Sequence, residues 1–326
     1  MRLSVKAEHF ELHEPFTISN YAWQTADVCT VVLERDGVIG QGEGAPVFYH
    51  GETAQKLADQ IEAVRSHIEN GITRAEAAEL LPPGGALCAL DCALWDLEAR
   101  SAGRSVHDLA GLLDPIELDS AITVTLKATD AMTAQAERYR DYPLLKVKLG
   151  GSDDENAIRG IRKVAPNPRI TIDANTAWSF EKLQAMEPLL VELGVELIEQ
   201  PMAPDADEAL IGYRSRIPIA ADESCQTVAD VEGLIGKYQT AVIKLDKAGG
   251  LTGAIHLLNA AQAAGLELMV SCMIATSLGM APARLIGTYC KTVDLDSPMN
   301  LKVDRAHAIP YTQGRMHATP PELWGG

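Results

Sequence analysis

From about residue 120 onward, short β-branched runs alternate with amphipathic helical segments. The runs are AITVTLK (121–127), LLKVKLG (144–150), RITIDAN (169–175), ELIEQP (196–201), IPIAADES (217–224), TAVIKLDK (240–247), LELMVSC (266–272) and TVDLDSP (292–298), with segments such as DENAIRGIRKVA and GAIHLLNAAQAAG between them. Short apolar strands separated by helices are the signature of parallel β/α units, whose strands are buried on both faces. Eight units in that rhythm predict a parallel barrel, for which roughly 250 residues are typical when it is complete. Little helix follows the eighth run, so the expectation is a compact (β/α)7β TIM-like barrel.

The chain before it reads differently. LSVKAEHFEL and residues 27–34 are strand patterns, and Asp36-Gly37 is a turn signal ahead of VIGQGEGAP. Residues 52–69 carry helical spacing with Asn70-Gly71 as a stop, and Pro82-Pro83-Gly84-Gly85 breaks the chain before the mostly apolar segment ALCALDCALWDLEAR. These patterns predict an α+β capping domain over residues 1–115, the barrel over 116–300, and an extended tail, 301–326, that packs back on the cap and completes it.

Ionisable residues gather at the C-terminal ends of the barrel strands: Lys146 and Lys148, Asp173, Glu199, Asp222 and Glu223, Lys244, Asp294 and Asp296. In a parallel barrel those ends form one rim, and active sites are built there. Charges that converge in a barrel mouth must pair or bind metal, because stripping their water is costly. Asp173, Glu199 and Asp222 end three successive strands and offer hard oxygen ligands suited to Mg²⁺, with Asn175 and Glu223 placed to orient them. Lys146 and Lys148 are two residues apart and share one strand face. Their mutual proximity and a nearby cation predict a lowered lysine pKa, useful for proton transfer. Lys244 ends a strand about opposite, expected three strands further round the barrel. Lys247, three residues on, has the other strand parity and is the rival for the same role. Asp294 and Asp296 share a face at the end of the eighth strand.

Global composition removes other classes. The formal net charge of −17 excludes counterion-displacing nucleic-acid binding and charge-driven docking on anionic membranes. No apolar run is long enough to span a bilayer. Six cysteines without a CxxC pair predict buried free thiols in a reducing cytoplasm. The eight histidines lack HExxH spacing, and no GxxxxGK[ST] loop is present. The sequence leaves homo-oligomerisation open.

The full set of motifs resembles the enolase superfamily, muconate-lactonizing branch, and within it the dipeptide epimerases. The resemblance covers the whole chain: the α+β cap, ALDCALWDLEAR, KVK (146–148), DAN (173–175), EQP (199–201), ADES (221–224), IKLDKAGGLT (243–252) and DLDSP (294–298). It implies one Mg²⁺ on Asp173, Glu199 and Asp222, and Lys148 with Lys244 (rather than Lys247) as the acid/base pair. It further implies that Lys146 stabilises an enolate and that Asp294 and Asp296 bind a dipeptide's α-ammonium group. The implied reaction is 1,1-proton transfer at the C-terminal residue of an L-Ala-Xaa dipeptide, with peptidoglycan-peptide recycling as the setting by analogy.

The chain departs from this pattern at one place. Members acting on L-Ala-D/L-Glu carry an arginine in the loop after the first strand, whereas EPFTISNYAWQTADV has none. Asn20, Tyr21, Trp23 and Gln24 stand there instead, with Tyr21, Trp23 and Gln24 expected to meet substrate as part of a mobile lid. CMIATS (272–277), with Met273, is expected to line the same pocket. The alternatives are N-acylamino acid racemisation, cycloisomerisation, succinylbenzoate synthesis, or a non-catalytic barrel that binds a metal or ligand.

Overall fold

The structure is a computed structural model that describes residues 1–114 and 116–326. The boundary expected at 115/116 falls on Pro115, outside the described residues.

Three antiparallel strands, β1 (Arg2–Thr17), β2 (Ala22–Arg35) and β3 (Val38–Gly44), form the cap sheet in the order β1-β2-β3. The segment expected to be an open lid loop is instead mostly strand. β1 continues to Thr17 and β2 begins at Ala22, with Phe16 opposite Trp23 and a tight tip closed by Ile18 N donating to Tyr21 O at 2.9 Å. The cross-strand aromatic pair is the reason the hairpin extends this far. The expected single helix over 52–69 is divided at Val64 into α1 (Ala54–Ala63) and α2 (Arg65–Glu69). A helix not foreseen, α3 (Arg74–Leu80), starts at a capping box in which Thr73 and Glu76 satisfy each other's backbone N–H groups.

Helix α4 (Gly85–Ala102) is the keystone between cap and barrel. Every residue from Gly85 to Leu97 is buried, and Gly103, in the left-handed region at φ 59°, ends the helix. One face of α4 lies directly on β3, whose Gly40, Gly42 and Gly44 fall on one side by the two-residue strand period. A Cβ at Gly42 would overlap the α4 backbone at Ala89 O and Ala93 N. The other side reaches the barrel: Asp91 accepts from Thr252 N at 3.0 Å and Thr252 Oγ1 at 2.6 Å, and Trp95 Nε1 donates to Thr252 Oγ1 at 3.0 Å.

After a short β4 (Leu118–Asp119) come β5 (Ile122–Val124), β6 (Leu144–Lys148), β7 (Arg169–Asp173), β8 (Val195–Glu199), β9 (Ile219–Ala221), β10 (Thr240–Ile243), β11 (Glu267–Val270) and β12 (Thr292–Val293). They make one parallel sheet in sequence order. Its two ends meet where Ala121 N donates to Val293 O at 2.8 Å and Leu295 N to Ser120 Oγ at 2.9 Å. All eight expected strands are present, so the curled parallel sheet and the separate N-terminal cap are as the sequence indicated. Leu197, Ala220, Val242 and Met269, one from each of four adjacent strands, pack together inside as an apolar layer beneath the charged rim.

The tail adds β13 (Tyr311–Thr312) and β14 (Arg315–Met316), a hairpin whose β14 pairs with β4 at the base of the barrel. It also reaches the cap: Trp324 Nε1 donates to Cys92 O at 3.0 Å, and Leu323 O accepts from Gln41 Nε2 at 2.5 Å. The six cysteines are free thiols. Among the described residues no helix is long and apolar enough to cross a membrane.

The close approach of β3 to α4 leaves no room for a side chain. Gly42→Val is expected to destabilise the fold by about 3 kcal/mol, the upper range for overpacking against a backbone that cannot yield. A urea midpoint equal to wild type would show that α4 does not press on β3.

Candidate active site

The rim residues occupy the positions that strand parity dictates. Lys148, Asp173 and Glu199 are successive partners across β6, β7 and β8, so they stand at one level around the mouth. Asp222 and Lys244 directly follow β9 and β10, and Asp294 follows β12. Lys146, Lys148, Asp173, Glu199, Asp222, Lys244, Lys247, Asp294 and Asp296 are all buried.

Their pairing is specific. Lys146 Nζ lies 2.9 Å from Glu199 Oε1, 2.7 Å from Asp294 Oδ2 and 3.2 Å from Asp173 Oδ2. Lys148 Nζ donates to Asp173 Oδ2 at 2.6 Å, and Lys244 Nζ to Asp222 Oδ2 at 2.7 Å. Lys247 is 1% exposed and spends its donors below the rim, on Asp222 Oδ1 and Asp222 O, both at 2.6 Å. Lys244 lines the open cavity and Lys247 does not. Asn175 donates to Asp173 from its backbone N at 2.8 Å and from Nδ2 at 3.3 Å. Asp296 Oδ2 accepts from Thr123 N at 2.7 Å, and Asp294 Oδ2 accepts from Ser271 Oγ at 2.7 Å.

The lowered lysine pKa expected from crowding is not found at Lys146. Burial pushes Lys146 down, but the carboxylates of Asp294, Glu199 and Asp173 outweigh it and hold the ammonium well above its usual range. Lys244 is raised in the same way: burial opposes, and Asp222 prevails. Two neighbouring ammonium groups and a cation favour the neutral amine, but the carboxylates lie nearer to Lys146. The acids divide. Burial would raise Asp173, but Lys148 and Lys146 bring it down to about 2. Glu199 is pushed up to about 8, first by burial and then by Asp173. Burial and then Asp222 push Glu223 up to about 7. Burial and Asp294 do the same for Asp296, also to about 7.

The carboxylates at this rim outnumber the lysines, and several oxygens have no hydrogen-bond donor. These are Glu199 Oε2, Glu223 Oε2, Asp294 Oδ1 and Asn175 Oδ1, all sealed from solvent. Glu199 Oε2 is 2.7 Å from Lys146 Nζ, but off the direction of a hydrogen bond. Buried oxygens of this kind are ordinarily satisfied. Excess negative charge and undonated oxygens on neighbouring strands fit a divalent cation held by hard ligands. With the lysines drawn onto them, no three acidic or imidazole side chains among the described residues are gathered as a ready cage. A cation would therefore take Asp173 and Asp222 in competition with Lys148 and Lys244.

A cavity of about 270 Å³ stands above the rim, with Lys146, Lys148, Lys244, Asp294 and Asp296 in its floor. Its roof is the cap: Phe16, Ile18 and Trp23 from the hairpin and Phe48 from the turn after β3. Met273 lines the cavity, as does Asn175. Tyr21 is outside it, stacked on Trp23 at 5.7 Å and edge-on to Phe48 at 4.3 Å. Gln24 does not reach the cavity. On β2 the residues facing it are Trp23, Thr25 and Asp27, so Gln24 lies on the opposite, exposed side by strand alternation. Three positioning groups escaped the sequence reading. Gln200, at φ 32° just after β8, accepts from Asp222 N at 2.9 Å. Ser271, at the end of β11, braces Asp294; the strand-end rule would have found it had uncharged residues been included. The third is Arg305, distant in sequence: its Nη2 donates to Glu43 Oε2 at 2.7 Å and its Nε to Thr276 Oγ1 at 2.8 Å, while Thr276 N donates to Glu43 Oε1 at 2.8 Å. This network ties the 272–277 segment to β3.

Comparison with known proteins agrees with this geometry. Residues 1–111 match the mandelate racemase / muconate lactonizing enzyme N-terminal domain, and residues 131–319 match the enolase C-terminal domain-like family. The chain therefore belongs to the enolase superfamily, in its mandelate racemase and muconate-lactonizing branch. It is 39% identical over 317 residues to the L-Ala-D/L-Glu epimerase of Escherichia coli K12, covering 97% of this chain and 99% of that one. A solved enolase family member from Agrobacterium tumefaciens with homology to dipeptide epimerases, bound to sodium and L-Ala-L-Glu, superposes with a TM-score of 0.96 at 38% identity, over 99% of each chain. A dipeptide epimerase from Enterococcus faecalis V583, complexed with Mg and L-Leu-L-Tyr, gives 0.89 at 26% identity over 97% of this chain and 96% of that one.

Arg305→Ala strips Glu43, which is 1% exposed, of its one ionic partner among the described residues. The expected loss is about 3 kcal/mol, because a buried charge is left uncompensated. Arg305→Lys should recover only part of it, since the ammonium lacks the guanidinium fork. Chemical denaturation measures both, and a wild-type midpoint for Arg305→Ala would contradict the role given to this network.

Proposed function

We propose that the protein is a Mg²⁺-dependent dipeptide epimerase that moves the α-proton of the C-terminal residue. The observation that carries the reading is the placement of Lys148 and Lys244. They line one cavity from β6 and from the end of β10, four strands apart in a barrel of eight, each ion-paired to a different carboxylate. Two lysines facing each other across a cavity suit removal of a proton from one side of a carbon and its return on the other.

The family membership supports the reaction class, and the names of the relatives support the dipeptide. Asp173, Glu199 and Asp222 would hold the cation. Mg²⁺ there supplies positive charge that stabilises the negative charge developing on the substrate carboxylate and competes with the lysines for Asp173 and Asp222. The remaining work falls to the chain. One lysine, as the neutral amine, takes the α-proton, and the other, as ammonium, delivers a proton to the opposite face. Lys146, held fully charged by Glu199 and Asp294, is positioned to stabilise the planar enolate. Asp294 and Asp296 are the counter-charges for the α-ammonium, and the undonated Asp294 Oδ1 supports that role. Asn175, Gln200 and Ser271 hold the carboxylates in place, and Glu223 sits at the edge of the same group.

The two-base arrangement has a stereochemical consequence. Lys148→Ala and Lys244→Ala should each lower epimerisation by about 10²- to 10⁴-fold, the usual contribution of a positioned acid or base. In deuterated water, each variant should keep α-proton exchange with one epimer and lose it with the other, followed by proton NMR. Full activity in either variant rules out the two-base model. Cation binding at the three carboxylates predicts that Mg²⁺ raises the melting temperature of the wild type and not of Asp222→Asn; equal shifts in both would place the cation elsewhere.

A further inference from the structure

The floor of the cavity accounts for most of a dipeptide, and what remains is its roof. With the α-carbon between Lys148 and Lys244 and the α-ammonium at Asp294 and Asp296, the side chain of the epimerised residue is directed up at the cap. That roof is Phe16, Ile18, Trp23 and Phe48, continued on the barrel side by Ile274. The rings interlock: Trp23 meets Phe48 edge-on at 5.0 Å and Phe16 at 6.5 Å. Aromatic residues are only 5% of this chain, so their concentration over one cavity is a local choice.

The charges around the roof point the same way. The only cations lining the cavity, among the described residues, are Lys146, Lys148 and Lys244, and each is already ion-paired in the floor. The acids nearest the roof are Asp27 and Glu52. Both have partners of their own: Asp27 pairs with His9 at 2.8 Å, and Glu52 accepts from Val47 N at 2.8 Å and Gly85 N at 3.3 Å. A side-chain carboxylate placed there would lose water, find no cation and face two acids, which is how a site rejects a competitor. A cationic side chain would have to lie against the rings, with Glu52 already accepting two backbone N–H bonds and Asp27 turned toward the exposed His9.

We propose that the substrate class is dipeptides whose C-terminal residue bears a large apolar or aromatic side chain, with Trp23 and Phe48 as the residues that select it. This rests on the epimerase reading above and specifies its substrate. Apolar burial against the roof acts on kcat/KM, and discrimination by such a pocket is on the order of 10- to 100-fold.

The test measures α-proton exchange in deuterated water, with Mg²⁺, for L-Ala-L-Phe, L-Ala-L-Leu, L-Ala-L-Ala, L-Ala-L-Lys and L-Ala-L-Glu. The expected order in kcat/KM places Phe and Leu about 10- to 100-fold above Ala, with Lys and Glu below them. In Trp23→Ala and Phe48→Ala the Phe-to-Ala ratio should fall toward one. A ratio taken within one variant does not depend on how much of it folds. Preference for Glu or Lys, or an unchanged ratio in both variants, overturns the proposal while leaving the epimerase reading standing. Absence of exchange with all five dipeptides overturns the epimerase reading and this proposal together.

Discussion

Burying an ion costs several kcal/mol unless it is paired and hydrogen-bonded, and this barrel buries nine at one end. Five carboxylates and three lysines lie within the rim, with Lys247 beneath Asp222 and Glu223 at the edge. If all are ionised, two negative charges are in excess. The arrangement can persist only because the strands beneath it are rigid and apolar and because each ammonium sits within 2.9 Å of at least one acid oxygen. The excess is what makes the site chemically useful. A divalent cation held by these carboxylates would balance it and would compete with the two cavity-facing lysines for Asp173 and Asp222. On the proposed reading, the same carboxylates pair with the two bases and mark the place of the electrophile.

The cap is the second half of this account. A charged rim open to water would have its fields screened, and the hairpin prevents that by laying Phe16, Ile18 and Trp23 over the mouth. The hairpin is held through the β1–β3 sheet, that sheet through α4, and α4 through Asp91 and Trp95 to Thr252 in the barrel. Arg305 closes the loop from the other side by joining Glu43 on β3 to Thr276 below it. On the proposed reading, specificity and catalysis reside on different domains.

The barrel was legible because its strands are short, apolar and charged only at one end; that single pattern yields both the topology and the rim. The cap was read less well for identifiable reasons. The hairpin from Phe16 to Trp23 looked like a loop because its tip, Ser19-Asn20-Tyr21, carries turn residues and its pairing depends on an aromatic contact across strands. α3 was missed although Thr73-Arg-Ala-Glu76 is a capping box in the sequence, because the helix is short and its apolar face is small. Gln24 was included with its neighbours, and strand parity sends it outward. Long-range partners such as Glu43 and Arg305 leave no local mark in a sequence. The raised pKa of Lys146 leaves no local mark either, because it depends on which neighbours are nearest, and that is a property of the folded rim.

In the proposed reaction two lysines flank one carbon. A crystal structure with Mg²⁺ and a bound dipeptide measures this directly. It is predicted to place Lys148 Nζ and Lys244 Nζ on opposite faces of the C-terminal residue's α-carbon, each at about 3–3.5 Å, the separation expected of reacting atoms held for proton transfer. An α-carbon approached by both lysines from one face, or by Lys247 in place of Lys244, would contradict it.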